Sequence, residues 1–230
     1  MSEKNYQRVY IGRDVLAEDR IEAATQRDLW TRQGTLVVNL VSSPGAGKTS
    51  LLEATAKHWQ GRHSTAVLVG DLETDRDAQR LSPWTKVAQL TTGGACHLQM
   101  PLVRSGLRAL GNPRVDFLFI ENVGNLVCPA SHDLGEHLRV VVLSVTEGDD
   151  KPAKYPKMFR TSQVMVISKA DLLPHVPFEV DAAIADARRT QPEIACLTLC
   201  ASNGAGITPW CQYLEQTRQR MLENLPCETT

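Results

Sequence analysis

Nowhere in this sequence does an apolar run approach the roughly 20 residues that a membrane-spanning helix needs, so no span is expected. The opening residues, MSEKNYQRVY, lack the apolar core of an export signal, and a cytoplasmic location is expected. An excess of one charge is also missing. Lys and Arg number 25 against 26 Asp and Glu, for a formal net charge of −1. Without a basic field, nucleic acid and anionic membranes are not expected as partners. Cysteine is sparse, with six in 230 residues at 96, 128, 196, 200, 211 and 227. That argues against a disulfide framework and leaves metal binding, catalysis or packing. No internal repeat, low-complexity tract or linker divides the chain, and its length suits one sizeable core.

What is present is alternation. Short, nearly continuous Val/Ile/Leu runs stand at 35–41, 65–70, 86–90, 115–120, 139–145, 163–168 and 195–200. Such runs mark strands buried on both faces of a parallel sheet. Helical patterns occupy 13–33, 48–60, 75–82, 97–110, 178–190 and 207–224. Strand–helix alternation predicts right-handed βαβ units, hence a doubly wound α/β fold with a mostly parallel sheet of about seven strands. Residues 1–34 read as an N-terminal helical segment and 35–230 as the main domain. The stretch EGDDKPAKYPKMFR (147–160), polar with two prolines, reads as a surface excursion.

The first strong strand runs into SSPGAGKTSLLEA. Gly45, Ala46, Gly47, Lys48 and Thr49 end in the G-K-[ST] of a phosphate-binding loop. Glycines let backbone N–H groups approach phosphate oxygens, a lysine reaches the β- and γ-phosphates, and a threonine hydroxyl binds Mg²⁺. Ser50 joins them as a nucleotide contact. The helix that starts there adds its positive end. Ser42 stands where this motif usually has its first glycine.

Such a loop needs a carboxylate for Mg²⁺. Asp71, Asp75 and Asp77 follow one strand, and Glu121 ends another, where ligands of open α/β sheets bind. Thr49, Asp71, Asp77 and Glu121 are the expected Mg²⁺ set, and Lys48, Asp71 and Glu121 the expected catalytic residues. Glu121-Asn122-Val123-Gly124 has the form acid-x-x-Gly, so the Gly124 amide is expected at the γ-phosphate. Farther on, VISKADLL places Lys169 and Asp171 two apart. An Asp carboxylate accepts from both guanine N1–H and its exocyclic amine, a donor pair adenine lacks. This resembles the N-K-x-D guanine motif with Ser168 in place of Asn, and a serine lacks the amide contacts. Ala201 and Ser202 sit in a loop that resembles the one meeting guanine O6.

The segment GGACHLQ sets Cys96 beside His97 after two glycines. Alone, it reads as a buried thiol next to an unrelated imidazole. The wider sequence changes that reading. ENVGNLVCPASHDLGE, VVLSVTEGDDKPAKYPKMF and GGACHL together resemble the HypB family, GTPases that assist nickel insertion into [NiFe]-hydrogenase. The resemblance runs from about residue 34 to 215. It implies a P-loop GTPase with GTP and Mg²⁺, and Ni²⁺ or Zn²⁺ held by Cys96, His97 and Cys128. It also implies a GTP-dependent homodimer, a HypA-type zinc/nickel partner and a hydrogenase large-subunit precursor as recipient. A helix starting at 97 would lower the Cys96 thiol pKa. Residues 1–35 hold neither Cys nor His, unlike the nickel-rich N-termini of many family members. The remaining cysteines read as structural, and Lys151, Lys154, Lys157 and Arg160 as a solvated face.

Two other functions fit the same residues. One is a urease-type nickel maturation GTPase, whose Cys-Pro-His motif is not matched by the directly adjacent Cys96 and His97. The other is a carrier or scaffold that keeps nucleotide only as a structural ligand.

Overall fold

The computed structural model describes residues 13–71 and 75–225, with side chains from residue 19 onward. Seven strands form one parallel sheet: β1 (Leu36–Ser42), β2 (Thr65–Asp71), β3 (Lys86–Thr91), β4 (Phe117–Glu121), β5 (Leu138–Ser144), β6 (Val164–Ser168) and β7 (Ala195–Thr198). Their order across the sheet is β3-β2-β4-β1-β5-β6-β7. The expected fold is therefore observed, with each predicted strand displaced by at most a few residues. β1 is central, pairing Leu40 with Glu121 on one side and with Val140 on the other. Its C-terminal end is where the sheet changes winding direction, the place where open α/β folds bind ligands.

Every residue of β1, β4, β5 and β6 is buried, which accounts for their unbroken apolar runs. On one face, Leu40, Phe117 and Phe119 pack against Leu51 and Trp59 of α2 (Lys48–Trp59) and Trp210 of α8 (Ile207–Glu223). Trp59 stacks on Phe117 with centroids 4.1 Å apart. That geometry contributes about 0.5–1.5 kcal/mol beyond the area it buries. The other face carries two clusters. One joins Leu118 and Ile120 to Trp30 of α1 (Arg13–Arg32) and Val103 of α4 (Met100–Ala109). The other joins Val141 and Ile167 to Phe159 and to Ala183 of α7 (Val180–Thr190). The short α3 (Arg76–Leu81) precedes β3.

Two expectations need correction. The excursion at 147–160 folds into α5 (Lys151–Lys154) and α6 (Pro156–Arg160). Its Met158 and Phe159 are fully buried, and this apolar anchor is short enough to be masked by the surrounding charges. Second, α4 starts at Met100, not at 97. Leu98 is pulled into the core, its backbone N–H bonds the Asn122 side chain, and Gln99 stays extended before Pro101 enters the first turn. Cys96 and His97 therefore lie in an irregular turn.

A buried polar frame ties α1 to the sheet. Arg27 grips both oxygens of Asp133 at 2.6 and 2.7 Å and donates to the Glu136 carbonyl at 2.9 Å. Glu136 in turn accepts from Arg139 and Asn39. His137 accepts from Val37 N–H through Nδ1 at 2.9 Å, so its Nε2 carries the proton, aimed at the Thr31 hydroxyl.

Candidate functional site

The loop after β1 is shaped by glycine at two points. Gly47 caps α2 with φ +98°, a left-handed conformation that costs other residues energy. Gly124 lies against the loop from the β4 side, where an added Cβ would stand 2.9 Å from Pro44 Cα. Glycine is thus needed there for close approach, not for an unusual φ.

Lys48 is buried, and its Nζ donates to Ser42 Oγ at 2.9 Å. Ser42 thereby does something the usual glycine cannot, giving the lysine a resting partner. Burial lowers the Lys48 pKa, opposed by the charge of Glu121 and, more weakly, of Asp77, Glu147 and Asp71. Thr49 donates to Glu121 Oε1 at 2.8 Å. The other oxygen, Oε2, is buried without a hydrogen bond. Burial pushes the Glu121 pKa up to about 7, against the lowering influence of Lys48 and Thr49. Asp77 and Asp71 add negative charge. A buried carboxylate with an orphaned oxygen, a threonine hydroxyl and two nearby aspartates form a donor set suited to a hard divalent cation such as Mg²⁺.

Lys169 follows β6 in the left-handed region at φ +59°, unusual for a residue with a side chain. Its Nζ donates to the Gly45 carbonyl at 2.8 Å. Ser168 donates to the Ala46 carbonyl at 2.6 Å. The hydroxyl thus ties β6 to the phosphate loop. Asp171 lies in the first turn of a 3₁₀ segment, Ala170–His175, beside a cavity of about 250 Å³ lined by Gly47, Ser168, Lys169, Asp171, Cys200 and Ser202. A wider groove of about 570 Å³ continues past Ser50, Ala201 and Ser202. Cys200 is more than a packing residue, because its Sγ lies 2.9 Å from Asp171 Oδ1 and 3.0 Å from Ser202 Oγ. Cys211 is core, while Cys227 lies outside the described residues.

The sulfur and imidazole groups converge in the turns before α4 and after β4. One ligand atom each from Cys96, His97 and Cys128 lies within 4.8 Å of the others, and among the described residues this is the grouping able to hold a metal ion. Gly93 and Gly94, at φ +62° and +95°, make the turn that lets adjacent Cys and His face one point. Cys128 starts a 3₁₀ turn, Cys128–Ser131, and its Sγ accepts from Asn125 Nδ2 at 3.4 Å. The Cys96 pKa is raised, chiefly by the neighbouring Cys128 thiol, not lowered by a helix end. The helix begins too late, and a second thiol stands where a positive field was expected. Burial, helped by His132, lowers the His97 pKa, leaving a neutral ring able to bind metal.

Sequence reasoning missed two residues here. Asn122 bridges the halves: its Oδ1 accepts from Leu98 N–H at 3.2 Å and Val123 N–H at 3.0 Å, and its Nδ2 donates to Asn39 at 3.3 Å. It directly follows Glu121, and that adjacency was the available clue. His132 stacks on His97, and its position four residues after Cys128 was the clue there. The cations at 151, 154 and 157 pair locally with Glu147, Asp150 and Ser131.

Comparison with known proteins agrees with this geometry. The CobW/HypB/UreG nucleotide-binding domain family matches residues 36–198. The hydrogenase maturation factor HypB of Azotobacter vinelandii is 46% identical over 209 residues, covering 90% of this chain and 69% of that protein. The crystal structure of HypB from Helicobacter pylori in complex with nickel superposes with a TM-score of 0.84 at 36% identity, covering 93% of this chain and 99% of that one. HypB from Archaeoglobus fulgidus gives 0.81 at 34% identity, covering 88% and 99%. Among the described residues no helix is long and apolar enough to cross a membrane. A phosphate loop on a seven-stranded parallel sheet, a cluster of Cys96, His97 and Cys128, and likeness over most of the chain lead to one conclusion: this protein belongs to the HypB family of hydrogenase maturation factors, P-loop proteins of the CobW/HypB/UreG class.

Proposed function

We propose that the chain is a GTP-hydrolysing nickel chaperone of [NiFe]-hydrogenase maturation. The observation that carries this reading is the path along one segment. Glu121, bonded to Thr49 of the phosphate loop, is followed by Asn122, which holds the backbone next to His97, and then by Cys128 of the Cys/His cluster.

Lys48 would leave Ser42 for the β- and γ-phosphate oxygens, and the Gly124 amide would meet the γ-phosphate. Thr49 and Glu121, supported by Asp71 and Asp77, would hold Mg²⁺, whose charge stabilises the transferring phosphoryl group. Gly45, Ala46, Gly47 and Ser50 would line the phosphate path, with Asp171, Lys169, Ala201 and Ser202 around guanine. Cys96, His97 and Cys128 would hold nickel as cargo. Thiolate and imidazole serve Ni²⁺ and Zn²⁺ alike. The active unit is a GTP-closed homodimer in the cytoplasm, receiving or passing nickel with a HypA-type protein and a hydrogenase large-subunit precursor. Of the expected division into 1–34 and 35–230, the GTPase domain would take β1 onward and α1 would be the added helical segment, while residues 1–12 and 226–230 lie outside the described residues.

Nickel titration with and without a non-hydrolysable GTP analogue tests the reading. Coupling of the usual size changes nickel affinity between about 5- and 150-fold. Equal affinities in both titrations refute the coupling, and ATP hydrolysis as fast as GTP hydrolysis refutes the role of Asp171.

A further inference from the structure

Three protein groups leave a tetrahedral ion one ligand short. Against His97, and outside the trio whose ligand atoms already lie within 4.8 Å of one another, stands a fourth group that no part of the reading has used. The His132 ring lies over the His97 ring with centroids 3.7 Å apart and planes inclined by 22°. Its Nδ1 is 3.0 Å from the carbonyl oxygen of Cys128. A carbonyl oxygen can only accept, so that bond puts the proton of the neutral imidazole on Nδ1 and leaves the lone pair on Nε2. This matches how metal-binding histidines are usually prepared, with one nitrogen donating to a backbone carbonyl and the other presented to the ion. The carbonyl here belongs to a cluster cysteine. A single 3₁₀ turn, Cys128–Ser131, separates the two side chains, and His132 is the extended residue that ends it. The ring is half-buried, so little water must be displaced to reach it.

We infer that His132 is the fourth protein ligand of this site, giving a two-sulfur, two-imidazole set with Cys96, His97 and Cys128. This rests on the metal reading of that cluster. A tetrahedral ion held by both rings would splay their planes, so binding would open the stack. Completing the set within one chain distinguishes it from a site closed by water or by a second subunit. Two thiolates with two imidazoles favour tetrahedral coordination and therefore suit Zn²⁺ and Co²⁺ better than a square-planar Ni²⁺ geometry.

The test uses the full chain loaded with Zn²⁺ or Co²⁺ alone. X-ray absorption at the zinc edge counts sulfur and imidazole ligands, cobalt absorption reports tetrahedral geometry, and chelator competition gives affinity. The wild type is expected to show two sulfurs and two imidazoles. His132→Phe keeps a flat ring on His97 but offers no nitrogen. It is expected to lose one imidazole and to bind Zn²⁺ at least tenfold more weakly. His132→Ala should match it. Unchanged imidazole count and affinity in His132→Phe overturn the inference. So does a loss confined to His132→Ala, which would make the ring a packing element that positions His97. If instead the wild type binds Zn²⁺ no better than Cys128→Ala, the cluster is not a metal site and both readings fail.

Discussion

The two halves of the site are built differently. Around the phosphate loop, each side chain already has a short partner: Lys48 with Ser42, Thr49 with Glu121, Ser168 with Ala46, Lys169 with Gly45. Ser42, Glu121 and Ser168 stand at the buried ends of β1, β4 and β6, so the core sets their positions. Around the cysteines, the contacts run through sulfur, a weak hydrogen-bonding atom. Cys96 Sγ lies 3.7 Å from His97 Nδ1, and Cys128 Sγ lies 3.4 Å from Asn125. All three ligands are only partly buried and sit in turns. The lesson is that the core positions one half, while the other is carried by partly buried turns that the core constrains less. That is the division a carrier needs if it must hold an ion in one state and release it in another.

The comparison can be broken at its core-positioned end first. Lys48→Ala should lower kcat for GTP by about 10²–10³-fold, as expected for removal of a preorganised charge-stabilising donor. Steady-state phosphate release measures this, and Zn²⁺ affinity without nucleotide should stay unchanged. A shift in both would mean that the halves are not separable.

The frame beneath both halves comes next. Burial pulls the His137 pKa down to about 4, with the charge of Arg27 acting in the same direction. The unfolded chain takes up this proton near pH 6.5, so protonation favours unfolding. The stability that His137 contributes is whole above about pH 6.5 and is lost as pH falls toward 4. The full shift corresponds to at most about 3 kcal/mol. Urea midpoints of wild type and His137→Gln should therefore converge across that range. Parallel curves would remove His137 as the acid-sensitive point.

The joint between the halves is a smaller and sharper target. Asn122→Ala leaves Leu98 N–H without its acceptor. It should reduce the effect of a GTP analogue on metal affinity, a coupling of about 1–3 kcal/mol, by more than half. Titrations of either ligand alone should move much less. Undiminished coupling would place the connection elsewhere.

The smallest effect expected is at Ser168. Ser168→Ala removes the bond to the Ala46 carbonyl, worth about 1 kcal/mol, and should weaken GDP binding roughly fivefold. Ser168→Asn tests whether an amide makes this link better than a hydroxyl does.

The chain's legibility followed its periodicity. Buried parallel strands announce themselves as apolar runs, and each predicted strand was found. The phosphate loop was equally plain, since its glycines and lysine answer a local demand. Boundaries set by distant partners were not legible. Nothing near residue 97 says that Leu98 will be drawn into the core and its N–H given to Asn122, which moves the helix start to Met100. Nor does 147–160 reveal that Met158 and Phe159 reach the core through a polar stretch. Cys200 looked structural because Asp171 is 29 residues away in sequence and meets it only when β6 and β7 pair.

The sequence by itself determined the alternating α/β fold, the phosphate loop, the carboxylate at the end of β4 and the cysteine–histidine pair. These depend on short-range pattern and on residue chemistry. Only the tertiary structure decided that Glu121 is buried with an orphaned oxygen, that Ser168 holds the phosphate loop, and that His132 lies on His97. Burial and side-chain meeting are properties of how strands and turns pack. No local stretch of chain encodes its own distance from another.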